Sequence, residues 1–224
     1  MLAVLLYREL TRPPDADAAR REAFQSIYAQ NGWGVGPEGR ASSGAGSTMD
    51  FTRLYRVFLQ DFLAAHGIRS VVDAGCGDWQ FSRAIDWKGV DYLGIDIVPA
   101  LIEENRRRYG APNIRFELMD MVRDQLPPAD LLIVKDVLQH LPDADIARVL
   151  AQLPRYRHVL IVSGVDPRIL SAGHQDVAPG GFRPLDITQP PYSLPGTKLL
   201  AWRHGQHAEL VVHLENKPLK DPNK

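Results

Sequence analysis

The chain has 224 residues, of which 45% are hydrophobic and 24% charged, and its formal net charge is −1. This length suits one sizeable core, and a near-neutral charge gives no general attraction to nucleic acid or to an anionic membrane. Cys76 is the single cysteine, which excludes an intrachain disulfide and any metal site built from several cysteines.

The first ten residues, MLAVLLYREL, are apolar for six positions and then charged. They lack the basic leading region, the full-length apolar region and the cleavage site of a signal peptide. No apolar run in the sequence approaches the length of a membrane span. We therefore expect a cytoplasmic protein that does not associate with membranes.

Two helices and a glycine-rich segment are predicted before residue 68. Apolar residues at helical spacing predict one helix over residues 15–30 and a second from about residue 48 to 66. The segment between them, NGWGVGPEGRASSGAGS (31–47), is either a flexible linker or a loop that closes over a ligand. Trp33 favours the loop, because disordered linkers rarely contain tryptophan.

From residue 70 onward, short apolar runs alternate with helical patterns. The runs that predict strands are SVVDA (70–74), DYLGID (91–96), IRFEL (114–118), DLLIVK (130–135) and HVLIVSG (158–164). The helical patterns lie at 79–86, 99–109 and 143–153. Such alternation predicts a parallel sheet with helices on both faces and a ligand site beyond the carboxyl ends of the strands.

The end of the sequence has a different organisation. Residues 164–197 are rich in glycine and proline and predict an irregular excursion. The runs TKLLAWRH (197–204) and AELVVHL (208–214) then predict a hairpin turning near Gly205, and the tail ENKPLKDPNK is expected to fray.

The turn after the first predicted strand, VVDAGCGDW (71–79), is the strongest local signal. Gly75 and Gly77 have no Cβ, so a ligand can approach the backbone closely. The spacing matches neither the G-x-G-x-x-G dinucleotide fingerprint nor the G-x-x-x-x-G-K-[ST] phosphate loop. The turn therefore predicts a ligand that is not held by its phosphates.

Two acidic residues end the next two predicted strands. Asp96 follows the glycine turn by about twenty residues, the separation at which an acid meets a ribose in nucleotide-binding folds, and it can accept hydrogen bonds from both ribose hydroxyls. Asp120 ends the third strand, where an adenine amino group could be read. Together with Asp73 at the end of the first strand, these acids suit an uncharged adenosine and would repel phosphates.

In this order, VVDAGCGDW, YLGIDIV, LMD and DLLIVKDVLQHLPD resemble the class I S-adenosylmethionine-dependent methyltransferases over roughly residues 68–164. The resemblance implies an α/β fold with a Rossmann-like, seven-stranded, mostly parallel sheet, an antiparallel last strand, helices on both faces and an N-terminal helical and lid segment. The flanking NGWG, SSGAGS, RPLD and PPYSLP segments are similar to a subgroup of small bacterial methyltransferases. We divide the chain into helices and lid (1–67), a methyltransferase domain (68–216) and a tail (217–224).

The resemblance implies S-adenosyl-L-methionine as the cofactor and no metal. Residues around the glycine turn would flank its amino-acid part, Asp96 would hold the ribose, and Asp120 with Met121 would meet the adenine. The expected cofactor contacts are Trp33, Ser43, Gly44, Ser47, Asp73, Gly75, Cys76, Gly77, Asp96, Ile97, Asp120, Met121 and Lys135. Many family members carry a third glycine where this chain has Trp79, and we expect its indole to cover part of the cofactor.

The acceptor side of the site is expected to follow the fourth strand and the excursion. Asp136 and His140 are the candidate catalytic residues, and His140 is either a general base or a brace for the next helix. The candidate substrate contacts are His174, Arg183 and Tyr192. For Arg183, a salt bridge to Asp186 is the alternative.

Our leading hypothesis is methyl transfer from S-adenosylmethionine to an oxygen or nitrogen of a small molecule, such as a sugar or a specialised metabolite. A non-catalytic cofactor-binding module of the same fold, regulating a partner, is the alternative. A nicotinamide-dependent oxidoreductase would need the dinucleotide fingerprint that the chain lacks. The apolar stripe of the second helix, at 51–63, leaves a homodimer open.

Overall fold

A computed structural model describes residues 15–36, 38–166, 174–205 and 207–216. The predictions for residues 1–14 and for the tail at 217–224 lie outside the described residues. In the described part, the α-helices are α1 (Ala16–Ala29), α2 (Arg53–Ala65), α3 (Pro99–Tyr109) and α4 (Asp143–Gln152). The strands are β1 (Ser70–Ala74), β2 (Asp91–Asp96), β3 (Ile114–Leu118), β4 (Leu131–Lys135), β5 (His158–Gly164), β6 (Thr197–His204) and β7 (His207–Glu215).

The strands form one seven-stranded sheet in the order β3-β2-β1-β4-β5-β7-β6. Strands β1 to β5 pair in parallel, and β7 runs antiparallel to both β5 and β6. Strand β2 lies on one side of β1 and β4 lies on the other, so the strand order reverses at β1. This reversal creates a crevice at the carboxyl ends of β1 and β4, where such sheets bind ligands. The predicted fold class is confirmed.

The sheet is apolar on both faces, as a parallel sheet covered by helices requires. Along β4, Leu132 and Val134 belong to one hydrophobic cluster, while Leu131 and Ile133 belong to the cluster on the opposite face. This alternation follows from the two-residue period of a strand. A continuous apolar run was therefore the correct signal for a central strand.

The predicted helix over residues 79–86 is wrong. Only a short 3-10 turn at Ser82–Ala84 forms there. Trp79 has a φ of 55°, a left-handed conformation that cannot begin a right-handed helix. The rings of Phe81 and Trp87 are buried in the core instead, which anchors this irregular connection.

Helix α2 also begins later than its apolar pattern predicted. Residues 48–52 form turns, in which the Thr48 hydroxyl accepts a hydrogen bond from the backbone N–H of Phe51. Tyr55, Leu59 and Phe62 face the sheet and are buried, but Leu54, expected in the core, is 52% exposed because it lies off that face. None of the helices in the described ranges has the length and apolar character needed to cross a membrane.

Candidate active site

A cavity of about 370 Å³ opens at the carboxyl edge of the parallel strands, beside the turn after β1. It is lined by each of the thirteen residues expected to contact the cofactor: Trp33, Ser43, Gly44, Ser47, Asp73, Gly75, Cys76, Gly77, Asp96, Ile97, Asp120, Met121 and Lys135. The candidate catalytic residues Asp136 and His140 line the same cavity. The fold thus brings the two groups of predicted residues into one site.

The turn after β1 requires glycine for two separate reasons. Gly75 and Gly77 have φ values of 84° and 56°, in the left-handed region that L side chains rarely adopt. A Cβ at position 75 would lie 2.3 Å from Cγ2 of Val137, and one at position 77 would lie 2.3 Å from Oγ of Ser43. The missing Cβ atoms therefore let Val137 and Ser43 pack against the turn, and the same backbone lines the cavity.

Asp96 is fixed at the end of β2 by two backbone donors. Its Oδ2 accepts the N–H of Gly77 at 3.0 Å, and its Oδ1 accepts the N–H of Val98 at 3.0 Å. Burial raises the pKa of Asp96 to about 6, against the opposing effect of these hydrogen bonds. The carboxylate is therefore oriented beside the glycine turn by the protein alone.

Asp73, at the end of β1, is buried in the same edge. The hydroxyl of Tyr92 donates to its Oδ2 at 2.6 Å. Burial raises the pKa of Asp73 to about 6, while Tyr92 and the nearby Lys135 ammonium act in the opposite direction. The acid is thus held by a side chain from β2 rather than by the glycine turn.

Asp120 has a partner that the sequence did not predict. Arg20 of α1 is 1% exposed and forms ion pairs with Asp120 and, at 2.8 Å, with Asp145. The N–H of Val122 donates to the other oxygen of Asp120 at 3.0 Å. The carboxylate of Asp120, which was expected to meet the adenine amino group, is therefore ion-paired with Arg20 of α1. Arg20 also lines the cavity.

The glycine-rich segment is attached to the glycine turn by reciprocal hydrogen bonds. Ser43 N–H donates to Oδ2 of Asp78 at 3.2 Å, and Asp78 N–H donates to Oγ of Ser43 at 2.8 Å. The hydroxyl of Tyr28 lies 2.8 Å from the same Oγ. Trp33 packs edge-on against Tyr28, with ring centroids 5.2 Å apart. These contacts give the segment the geometry of a lid over the turn, although no periodic signal identified Tyr28 or Asp78.

Trp79 does not cover the cavity, so that expectation is wrong. Its side chain is 4% exposed and packs in the hydrophobic core against the rings of Tyr92, Tyr109 and Phe116. Its left-handed φ of 55° is the conformation that a third glycine would adopt without strain. Aromatic burial compensates for the backbone conformation here.

An ionic cluster lies in the cavity wall, where side chains from the end of β4 and the start of β7 meet across β5. The Lys135 ammonium lies 3.2 Å from Oε2 of Glu209, forms an ion pair with Asp136, and donates to the carbonyl of Gly46 at 3.0 Å. Glu209 is 3% exposed, and burial is the main reason that its pKa is raised. Asp136 has a φ of 57°, a conformation that clusters at functional sites.

His140 has the contacts of a brace, and its role as a general base stays a prediction. Its Nδ1 lies 2.7 Å from the carbonyl oxygen of Gly181, so Nδ1 carries the proton in the neutral ring and Nε2 is the basic nitrogen. The ring also packs 5.1 Å from that of Trp33. Burial lowers the pKa of His140, which keeps the ring neutral and its Nε2 available as a base.

The three candidate substrate contacts converge on Asp143 instead of lining the cavity. Arg183 and Tyr192 donate to Oδ1 of Asp143 at 3.1 and 2.6 Å, and Nε2 of His174 lies 2.8 Å from its Oδ2. The alternative partner for Arg183 was wrong, because Asp186 pairs with Lys198 at 2.6 Å. Contact of these residues with an acceptor stays a prediction.

The comparisons with known proteins agree with this architecture. Residues 71–158 match the model of a family described as a methyltransferase domain. A magnesium-protoporphyrin O-methyltransferase from Rhodobacter capsulatus is 33% identical over 102 residues, which is 44% of this chain. The chain spans 45% of the length of that relative.

Two solved structures share the fold at low sequence identity. Magnesium protoporphyrin IX methyltransferase from Synechocystis PCC 6803, crystallised with S-adenosylhomocysteine, has a TM-score of 0.63 at 15% identity, covering 91% of this chain and 100% of its own. N-methyltransferase NodS from Bradyrhizobium japonicum WM9, also crystallised with S-adenosylhomocysteine, has a TM-score of 0.57 at 15% identity, covering 75% and 88%.

The match of residues 71–158 to a methyltransferase domain and the order of the strands agree with the class I S-adenosylmethionine-dependent methyltransferases that the sequence motifs resemble. The Synechocystis enzyme was crystallised both with S-adenosylhomocysteine and with S-adenosylmethionine, the cofactor that the sequence motifs led us to expect here. The residues present fit it, because the positive-φ glycine backbone faces the cavity and Asp96 is oriented at its edge.

Proposed function

We propose that this chain transfers a methyl group from S-adenosylmethionine to an oxygen or nitrogen of a small-molecule acceptor. The observation that carries the proposal is the single cavity shared by the glycine turn, Asp96 and the candidate catalytic residues. The lid contacts between Ser43 and Asp78 favour a small acceptor, because a covered cavity has little room for a macromolecule. The net charge of −1 gives nucleic acid no general attraction.

The sulfonium of the bound cofactor supplies an electrophilic methyl group, so the protein mainly has to position the reactants and exclude water. The turn at Gly75 and Gly77 would flank the amino-acid part of the cofactor, and the carboxylate of Asp96 would hold its ribose. The lid covers them through Ser43. At the other end, Nε2 of His140 and the carboxylate of Asp136 orient the acceptor and accept its hydrogen bonds.

The proposal is tested by cofactor selectivity and by turnover. We expect S-adenosylhomocysteine to raise the thermal stability of the protein and to bind in calorimetry, whereas NAD does neither. Release of S-adenosylhomocysteine in the presence of pooled small-molecule acceptors then measures turnover. Stabilisation by NAD alone would overturn the methyltransferase proposal, and cofactor binding without turnover in any pool would favour the non-catalytic module.

Cytoplasmic localisation and a homodimer belong to the same proposal. The apolar stripe of α2 that suggested a dimer packs mostly against the sheet, and Leu54 and Val57 are the large apolar residues of this helix that are exposed. Sedimentation of the purified protein at micromolar concentration tests the dimer directly.

A further inference from the structure

Glu209 is a buried acid in the cavity wall and was not among the residues expected to contact the cofactor. It lies near the start of β7, opposite Gly164 of β5, which is the carboxyl edge of the sheet. Its side chain is 3% exposed, and the Lys135 ammonium lies 3.2 Å from its Oε2. The same ammonium also pairs with Asp136, so two acids share one cation here, and such arrangements of buried charge are concentrated at functional sites.

Glu209 and Asp136 approach the same point from two different strands. Both carboxyl groups lie beside Gly46 of the glycine-rich segment. A Cβ built on Gly46 would lie 2.7 Å from Oδ2 of Asp136 and 2.9 Å from Oε1 of Glu209. The Lys135 ammonium pairs with both carboxyl groups and holds them beside each other. Two neighbouring carboxylates balanced by one ammonium bind a proton more readily than an isolated carboxylate does.

We propose, resting on the methyltransferase function above, that Glu209 and Asp136 form a carboxyl pair that receives the proton of the acceptor, and that the acceptor is a hydroxyl or an amine. The proton leaves the acceptor oxygen or nitrogen and comes to rest between the two carboxyl groups. The lone pair of that atom forms the new bond to the methyl carbon. The carbon–sulfur bond breaks, and its electron pair stays on sulfur, giving neutral S-adenosylhomocysteine.

Lys135 stabilises the pair before the proton arrives. Its ammonium offsets one negative charge while the pair is ionised, and its hydrogen bond to Gly46 ties the covering lid to the same cluster. Water is thereby kept from the place where the proton is transferred. His140 orients the acceptor beside the pair, since the Gln139 amide lies within 3.5 Å of Nε2 of His140 and 3.3 Å of Oδ1 of Asp136.

The same cluster discriminates against a carboxylate acceptor. A carboxylate has no proton to lose at neutral pH, and it would meet two carboxyl groups balanced by a single ammonium. This chain therefore differs in acceptor class from an enzyme that esterifies a carboxylate. A hydroxyl or an ammonium is attracted to the pair instead.

The charge near the methyl position can be tested without knowing the acceptor. In sinefungin a carbon that carries an amino group replaces the sulfur that carries the methyl group. Its affinity therefore reports whether acidic groups lie where the methyl group would be. We expect the wild-type protein to bind sinefungin more tightly than S-adenosylhomocysteine in calorimetry. E209Q should reduce that preference about 10-fold or more, and E209D should retain most of it.

The matched control is E215Q, the same chemical change at an exposed position on β7. It should leave both affinities unchanged. If the wild-type protein fails to bind S-adenosylhomocysteine, the proposed function itself is lost. If S-adenosylhomocysteine binds but the sinefungin preference is the same in E209Q, or if E209D loses it as completely as E209Q, the carboxyl pair is wrong while the function stands.

Turnover supplies the second test. Pools of hydroxyl compounds, amines and carboxylic acids are compared, and we expect methylation in the first two only. E209Q should lower kcat on the accepted compound about 100-fold or more with a smaller change in KM. Methylation of the carboxylic acids, or an unchanged kcat in E209Q, overturns the inference.

Discussion

Asp96 is held in place before any ribose reaches it, because Gly77 and Val98 each donate a backbone N–H to its carboxylate. Each carboxylate oxygen has a second lone pair, so both ribose hydroxyls can still donate to it. The protein therefore meets the cost of orienting the acid during folding rather than during binding.

We expect Asp96→Ala to weaken S-adenosylhomocysteine binding by about 1.5–3 kcal/mol, the scale for hydrogen bonds to a charged group. Calorimetry measures the change, and circular dichroism checks that the variant is folded. Asp91→Ala is the matched control, since Asp91 is an exposed acid at the opposite end of the same strand. Equal affinities for the two variants would contradict the ribose assignment.

We expect His140→Ala to lower turnover on the accepted compound about 100-fold or more, because Nε2 accepts the hydrogen bond that orients the acceptor toward the methyl group. Steady-state kinetics give kcat and KM, and cofactor affinity should change little. Near-normal kcat would reduce His140 to a brace between Gly181 and the ring of Trp33.

At the level of elements, the glycine turn and the lid depend on each other. The side chain of Ser43 packs against Gly77. The next residue of the turn, Asp78, forms two hydrogen bonds with Ser43. A change in the turn should therefore reach the lid, although the two segments are about thirty residues apart in sequence.

Gly77→Ala and Gly89→Ala separate backbone strain from loss of this contact. Both glycines have positive φ, 56° and 76°, so alanine should destabilise either position by about 1 kcal/mol. A Cβ at position 89 meets open space, whereas one at position 77 collides with Ser43. We expect Gly77→Ala to destabilise the protein further and to weaken cofactor binding about 10-fold or more, while Gly89→Ala keeps the wild-type affinity. Urea unfolding and calorimetry measure both, and equal effects would show that the lid contact is unimportant.

At the level of the whole molecule, a histidine cluster lies at the edge of the sheet opposite the cavity. Nδ1 of His158 lies 3.1 Å from Nε2 of His213, and the ring of His66 lies 4.9 Å from that of His158. Burial first, and then the neighbouring histidines, lower the pKa of His158 and of His213. The folded protein therefore keeps the rings of His158 and His213 neutral at a pH where an unfolded chain would protonate them.

This difference predicts a loss of stability in mild acid. An unfolded histidine titrates near 6.5, so as the pH falls below about 6.5 the unfolded chain binds protons that the folded protein refuses. We expect the free energy of unfolding in urea to fall between pH 7.5 and 6, and to fall less steeply in His213→Gln.

Asp73 and Asp96 act in the opposite direction below about pH 6. Burial raises their pKa values to about 6, so the folded protein takes up those protons more readily than the unfolded chain does. The comparison of wild type with His213→Gln cancels this contribution. Identical pH slopes for the two proteins would show that the histidine cluster does not govern acid stability.

Much of the fold followed from local patterns. Strands such as β1, β2 and β5 have the bounds that their apolar runs predicted, because a buried parallel strand is a short run between turn signals. The glycine turn and the acid at position 96 were found for the same reason. The glycine turn depends on a left-handed backbone, and the acid depends on its position at the end of a strand. A few adjacent residues in the sequence indicate each of these features.

Long-range partners could not be found in that way. Glu209 and Lys135 are separated by 74 positions, and Arg20 and Asp120 by 100. The signal for Glu209 was an acid inside the apolar run AELVVHL, but nothing in that run tells which residue faces it. The side chains at 174, 183 and 192 contact Asp143, which the sequence did not predict. Tertiary packing decides which of several nearby acids a histidine, an arginine or a tyrosine can reach.

The amino-acid sequence by itself determined the strand–helix alternation, the turn at Gly75 and Gly77 and the acid at the end of β2, because each of these depends on local periodicity or on a single backbone conformation. Only the tertiary structure decided that the ring of Trp79 enters the core, that Ser43 rests on Gly77, and that Glu209 joins Lys135 and Asp136. Those outcomes depend on which surfaces meet when the sheet closes, and the free energy of that packing is a property of the assembled chain.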